Sequence, residues 1–122
     1  MHTEKTTPSV LSASTIINTS VENSYGENLG KIEELMVDLN SGRIAYAVLS
    51  FGGFLGMGNK LFALPFEALT VDTTNEKIIL DVDKEILENA PGFDKDNWPE
   101  VTEHAWLVDV YNYYGYRPYW DV

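Results

Sequence analysis

The 122-residue sequence contains no cysteine, which excludes disulfides, thiolate nucleophiles and paired-cysteine zinc sites, and which suits a reducing compartment. Basic residues are scarce. Eight Lys and Arg against 19 Asp and Glu leave a formal net charge of −11, and such a chain repels phosphate backbones, whose affinity comes from Lys and Arg. Nucleic acid is therefore not an expected partner, nor is an anionic membrane surface. Histidine occurs only at His2 and His104, too few for a histidine-rich metal centre or a Ser/His/Asp array. No run approaches the ~20 apolar residues of a membrane helix. The opening MHTEKTTPSVLSAS lacks the apolar core of a secretory signal. A soluble, cytoplasmic chain with no membrane span is expected, with a flexible leader over residues 1–12.

What is present is ordinary globular material, 44% hydrophobic and 22% charged, enough for one domain with its own core. From Ile16 to Val82 short β-rich runs alternate with turn residues, which predicts a small all-β unit. The runs are Thr19 to Glu22, Leu29 to Leu39, Arg43 to Phe51, Lys60 to Leu64, Leu69 to Asp72 and Lys77 to Val82. Gly26 supplies a positive φ in the first loop, and Asn40-Ser41-Gly42 joins the second and third runs as a tight hairpin. In the third run Ile44, Tyr46, Val48 and Ser50 alternate with Ala45, Ala47, Leu49 and Phe51. Both faces are apolar, so that strand is expected to be central and covered on both sides. Pro65 stops the fourth run. In the last, Ile78, Leu80 and Val82 should face the core and Asp81 the solvent.

Asp83 is expected to cap a short helix, KEILENA, ended by Pro91-Gly92. Beyond Trp98 and Pro99 the spacing of Val101, His104, Ala105, Val108 and Tyr111 predicts a second helix ended at Gly115, although Leu107 to Tyr111 would also suit a strand. The tail YGYRPYWDV is crowded with aromatic rings and must pack on something.

Several motifs suggest chemistry and fail on spacing. In FGGFLGMGNK, residues 51–60, Asn59 separates Gly58 from Lys60 and Leu61 replaces the hydroxyl of a phosphate loop, while the glycines read GxxGxG rather than GxGxxG. A structural loop fits better, with Phe54, Leu55 and Met57 covering the barrel end or a partner. Asp38 to Gly42 begins like a calcium loop, but Leu49 stands where the closing glutamate belongs, so a turn is the better reading. Asp81 to Glu85 fails similarly at Ile86. His104 with Glu100 or Glu103 is at most a weak metal site, and Glu33 and Glu34, adjacent on a strand, point to opposite faces. No catalytic residue, metal ligand or cofactor-binding residue is assigned.

Five features together resemble the PRC-barrel family: the Leu29-Gly30-Lys31-Ile32 entry, the Asn40-Ser41-Gly42 turn, the Ala45-Tyr46-Ala47-Val48 strand, the glycine loop and the Leu64-Pro65-Phe66 corner. The likeness runs from about Ser14 to Trp98. It implies a mainly β fold, a small, strongly bent antiparallel barrel at residues 13–98, followed here by a helical, aromatic extension at 99–122. It also implies a binding or assembly role and supplies no catalytic residue. In this family the barrel occurs in the cytoplasmic domain of the photosynthetic reaction centre H subunit and in a ribosome maturation factor, where it helps contact a ribosomal protein.

The resulting expectation is a non-enzymatic protein–protein interaction module, a homodimer or higher oligomer. Phe54, Leu55, Gly56 and Met57 at the barrel rim, with Tyr113, Tyr116, Tyr119 and Trp120 in the tail, would make the contacts, because exposed aromatics dominate interfaces. The alternative is a small-ligand or metal-binding module at the barrel mouth near the glycine loop, with Lys60 holding an anion.

Overall fold

A computed structural model describes residues 9–52, 59–94, 98–99 and 104–121. A short helix α1 (Ala13–Ile16) leads into strands β1 (Ser20–Glu22), β2 (Asn28–Val37), β3 (Ile44–Gly52) and β4 (Asn59–Leu64). After Pro65 and a 3-10 turn at Phe66–Ala68 follow β5 (Leu69–Asp72), β6 (Lys77–Leu80), α2 (Lys84–Glu88) and α3 (His104–Tyr113). The strands form one six-stranded sheet in the order β4-β3-β2-β1-β6-β5, a curled half-barrel. The mainly β class expected from the sequence holds. One pairing departs from a purely antiparallel barrel: β1 runs parallel to β6, with Val21 opposite Ile78.

The curl has local causes in β2. Its pairing to β1 skips Leu29, and its pairing to β3 skips Glu33. Each skipped residue is a bulge, which bends a strand and adds twist. As a result Leu29 and Ile32, three apart, are both buried on the inner side, with Leu35 packed beside them. The strict alternation expected across Glu33 and Glu34 therefore breaks at Glu33. Gly30 lies between the bulges at φ +118°, where a Cβ would collide with the backbone carbonyl oxygen of Ser50.

Strand β3 is central and double-sided, as its two apolar faces predict. Ala47 and Leu49 join Ile32, Phe62, Leu64 and Ile78 in the main core, while Tyr46 and Val48 join Leu61 and Ala63 in a second cluster on the opposite face. Strand β4 alternates in the same way. Its outer edge is partly closed where Phe93 and Leu61 exchange two backbone hydrogen bonds, of 3.0 and 2.8 Å. Gly92 permits that approach, since a Cβ there would lie 2.9 Å from the Leu61 carbonyl oxygen.

Two loops meet their expected chemistry. Gly26 and Gly42 both take positive φ, +83° and +76°. The first loop is organised by buried Asn23, whose Oδ1 accepts from the backbone N–H groups of Tyr25 and Glu27 and whose Nδ2 donates to Glu27 Oε1 and the Val82 carbonyl. Just beyond Val82, Asp83 occupies the N-cap position of α2, but its side chain makes no capping bond. Its backbone carbonyl accepts from Ile86 and Leu87 instead. The helix is held by Leu87, fully buried in the main core.

Candidate functional site: the C-terminal aromatic seam

Helix α3, with Tyr114 just beyond its end, presents Trp106, Leu107, Val110, Tyr111 and Tyr114 at intervals that place them on one stripe. Trp106, Leu107, Val110 and Tyr114 lie against the second cluster, and Trp106 meets Tyr46 edge to face at 5.4 Å between ring centroids. This stripe corrects the phase expected from the sequence. Of the residues expected at helical spacing, Tyr111 is buried and Val108 half-buried, while His104 and Ala105 are exposed. Tyrosine and tryptophan outweigh alanine and histidine in apolar area, so they set the buried side. Val101, Asn97, Glu100 and Glu103 lie outside the described residues.

The helix ends as Gly115 predicts. Gly115 sits at φ +80°, its N–H donates to Asn112, and the N–H of Tyr116 reaches back to the Tyr111 carbonyl at 2.9 Å. This pair of bonds is the Schellman arrangement, which reverses the chain after a helix.

The reversed tail is fastened to the turn between β2 and β3. The Tyr119 hydroxyl donates to Asp38 Oδ2 at 2.6 Å, and Arg43 Nη1 donates to the Tyr119 carbonyl at 2.8 Å. The Arg43 guanidinium also lies 5.2 Å from the Tyr119 ring centroid, a cation–π contact. Trp120 packs against Tyr119 at 4.9 Å and against exposed His104 at 4.3 Å between centroids. Two further hydroxyls tie the extension down: Tyr111 to the Ala45 carbonyl at 2.8 Å, and Tyr113 to the Ile86 carbonyl at 2.6 Å.

These contacts set the electrostatics. The Tyr119 hydroxyl, then the backbone N–H of Asn40, hold the Asp38 carboxyl below its ordinary pKa. Burial pushes the Tyr111 hydroxyl up to about 12. Burial likewise raises Tyr114 and Tyr119, the latter helped by its bond to Asp38. The Tyr114 hydroxyl is buried with no hydrogen-bond partner among the described residues.

The structure separates the tail residues singled out from the sequence. Tyr119 is only 8% exposed and Trp120 is half-buried, so both pack mainly within the chain, whereas Tyr113 and Tyr116 remain exposed. Phe54, Leu55, Gly56 and Met57 lie outside the described residues. Lys60 is exposed on β4. Sequence reading missed three contributors: Asp38, read as part of a turn, Arg43, read only as the start of a strand, and Ile86, exposed on α2 beside Tyr113. An arginine opening a strand in a chain so rich in tyrosine was the available signal for the Arg43 contact.

A second feature is a groove of about 490 Å³ at the start of β1 and β6. Leu11, Ile16, Val71 and Ile78 give it apolar walls, and Lys77 stands at its rim, paired with Glu22 at 3.1 Å. Among the described residues no group of three His, Cys, Asp or Glu is placed to hold a metal ion, and no helix is long and apolar enough to cross a membrane.

The model of the PRC-barrel domain family matches residues 8–87, from before α1 to the buried Leu87 of α2. The match stops short of α3 and the aromatic tail. No curated protein matches the chain.

Proposed function

The chain belongs to the PRC-barrel family, and from that membership we propose that it is a non-enzymatic protein–protein interaction module that self-associates, as a dimer, in the cytoplasm. The observation that carries this reading is the exposed apolar surface where the extension meets the barrel. Ile86 is 44% exposed and Tyr113 39% exposed, joined by the hydrogen bond between them, with Tyr116 following at 37%. Rigid aromatic rings at a surface are favoured interface anchors. The acidic balance argues against nucleic acid as the partner, and the cysteine-free composition accords with a reducing compartment.

Light scattering across a concentration series tests it. The intact chain should approach twice the mass of one chain, and Tyr113→Ser with Tyr116→Ser should shift the curve to higher concentration. A mass of one chain throughout, with no protein captured from native lysate by the intact chain, would count against the reading.

A second reading, a small-ligand module, rests not on the glycine loop and Lys60, as expected from the sequence, but on the groove beside Lys77, whose volume lies within the ~300–1,000 Å³ of ligand pockets. A native-state ligand must raise the melting temperature. Nucleotides, inorganic phosphate, divalent cations and alkylamines that all leave it unchanged would remove the support for this alternative.

A further inference from the structure

The groove at the start of β1 and β6 lies against the β5–β6 turn, where apolar and charged residues stand in adjacent register. Val71 pairs with Ile78, and the next pair towards the turn is Asp72 with Lys77. Val71, Ile78, Leu11 and Ile16 form the apolar walls, and Asp72, Glu76 and Lys77 complete the charged lining. Leu11 remains 43% exposed although it forms one of these walls, so a bound apolar body would cover surface that the chain itself leaves open to water.

The charges do not balance. Lys77 is already answered by Glu22 at 3.1 Å, whereas Asp72 and Glu76 form no salt bridge among the described residues. The side-chain amide of Asn75, followed by its backbone N–H, holds the Asp72 carboxyl below its ordinary pKa, which keeps it ionised at neutral pH. Both unanswered carboxylates belong to one hairpin, Asp72 ending β5 and Glu76 closing the turn. Glu76 and Asn18 are the non-glycine residues with positive φ, +55° and +74°, among those described, and both line this groove. Backbone of that kind gathers at ligand clamps. A metal ion is a poor match, since no three metal-ligating side chains converge among the described residues and aliphatic walls offer it no ligand.

We propose that the groove binds a small organic cation of the alkylamine type, its apolar body against Leu11, Ile16, Val71 and Ile78 and its ammonium group at the carboxylates of Asp72 and Glu76. This rests on the small-ligand reading above and names the class of ligand. An ammonium group carries three donors and no acceptor, and ionised carboxylates only accept, so one group can satisfy both. Apolar burial supplies the affinity and the carboxylates select the sign of the charge.

The full chain, labelled with ¹³C at its Ile, Leu and Val methyl groups, is titrated by NMR with n-hexylammonium, 1-hexanol, hexanoate and methylammonium. Hexylammonium should shift the methyl signals of Ile16, Val71 and Ile78 with a dissociation constant near or below ~1 mM. Hexanol and hexanoate lack the positive charge and methylammonium lacks the apolar body, so each should bind at least tenfold more weakly. Asp72→Asn with Glu76→Gln should reduce the affinity for hexylammonium to that for hexanol. Glu76→Gln alone, at an exposed turn residue, should weaken it several-fold and serves if the double variant does not fold. Hexanol or hexanoate binding as tightly as hexylammonium, or hexylammonium binding undiminished in the variants, would overturn the cation assignment and leave the small-ligand reading standing. No shift of the groove methyl signals by any probe at ~10 mM would overturn both.

Discussion

Single atoms decide much at Gly30 and little at Gly26. Both glycines have positive φ, but a Cβ at Gly30 runs into the Ser50 carbonyl while one at Gly26 meets nothing within 4 Å. Gly26→Ala should therefore show only the left-handed backbone penalty, about 1–2 kcal/mol. Gly30→Ala adds a collision with a neighbouring strand and should lose roughly 3 kcal/mol or more in urea unfolding. Equal losses would mean that the close approach between β2 and β3 is not a constraint. At Asp38 the sign of the pH dependence follows from its depressed pKa, since the folded state favours the carboxylate. That stabilisation is complete above the ordinary aspartate value near ~3.9 and is lost as pH falls through the folded value. The Tyr119 hydroxyl is the largest cause, so Tyr119→Phe should flatten the acid limb of a urea-midpoint profile between pH 2 and about pH 6. Asp72, lowered by Asn75, should act alike in both proteins.

Among the elements, α2 offers the sharpest contrast, because adjacent residues face opposite environments. Leu87 is fully buried in the main core while Ile86 is 44% exposed. Leu87→Ala should cost about 3 kcal/mol through lost transfer energy and the cavity left behind, and Ile86→Ala less than ~1 kcal/mol. A reversed order would mean that α2 docks by its other side. The same scale shows what could be read in advance. The β2–β3 hairpin, the two-sided β3, the stop at Pro65 and the helix end at Gly115 each follow from a local signal, a turn glycine, a double apolar alternation or a missing donor. The bulges at Leu29 and Glu33 were not legible, because a bulge is fixed by how two strands pair. The parallel β1–β6 contact escaped for a related reason, since nothing local relates strands so distant in sequence. The phase of α3 was misjudged because alanine and histidine were weighted equally with rings that bury far more area. At the candidate site, the tail's need to pack was plain from its aromatic crowding, but its anchor at Asp38 and Arg43 arises from tertiary contact.

Considered whole, the molecule fastens its extension with tyrosine hydroxyls, and this makes it sensitive to alkali. Burial raises Tyr46, Tyr111, Tyr114 and Tyr119 above the ordinary tyrosine value, so the folded state favours their neutral forms. The sign is opposite to that of Asp38. Stability is fully present below the unfolded value near ~10 and falls as pH rises from there toward the folded values, of which that of Tyr111 is about 12. Ionisation also adds negative charge to a chain already at −11, and self-repulsion then favours expansion. Phenolate absorbance from the buried tyrosines should accordingly rise together with the loss of near-ultraviolet circular dichroism, as one cooperative step above pH ~10. Because Tyr111, Tyr113 and Tyr119 hold the extension, that step should begin with release of α3, reported by the fluorescence of Trp106 and Trp120, and it should move to higher pH at high salt as the repulsion is screened. Phenolate absorbance with its midpoint at pH ~10 and the dichroism intact would mean that these hydroxyls titrate as free groups, and that the seam between extension and barrel is open in solution.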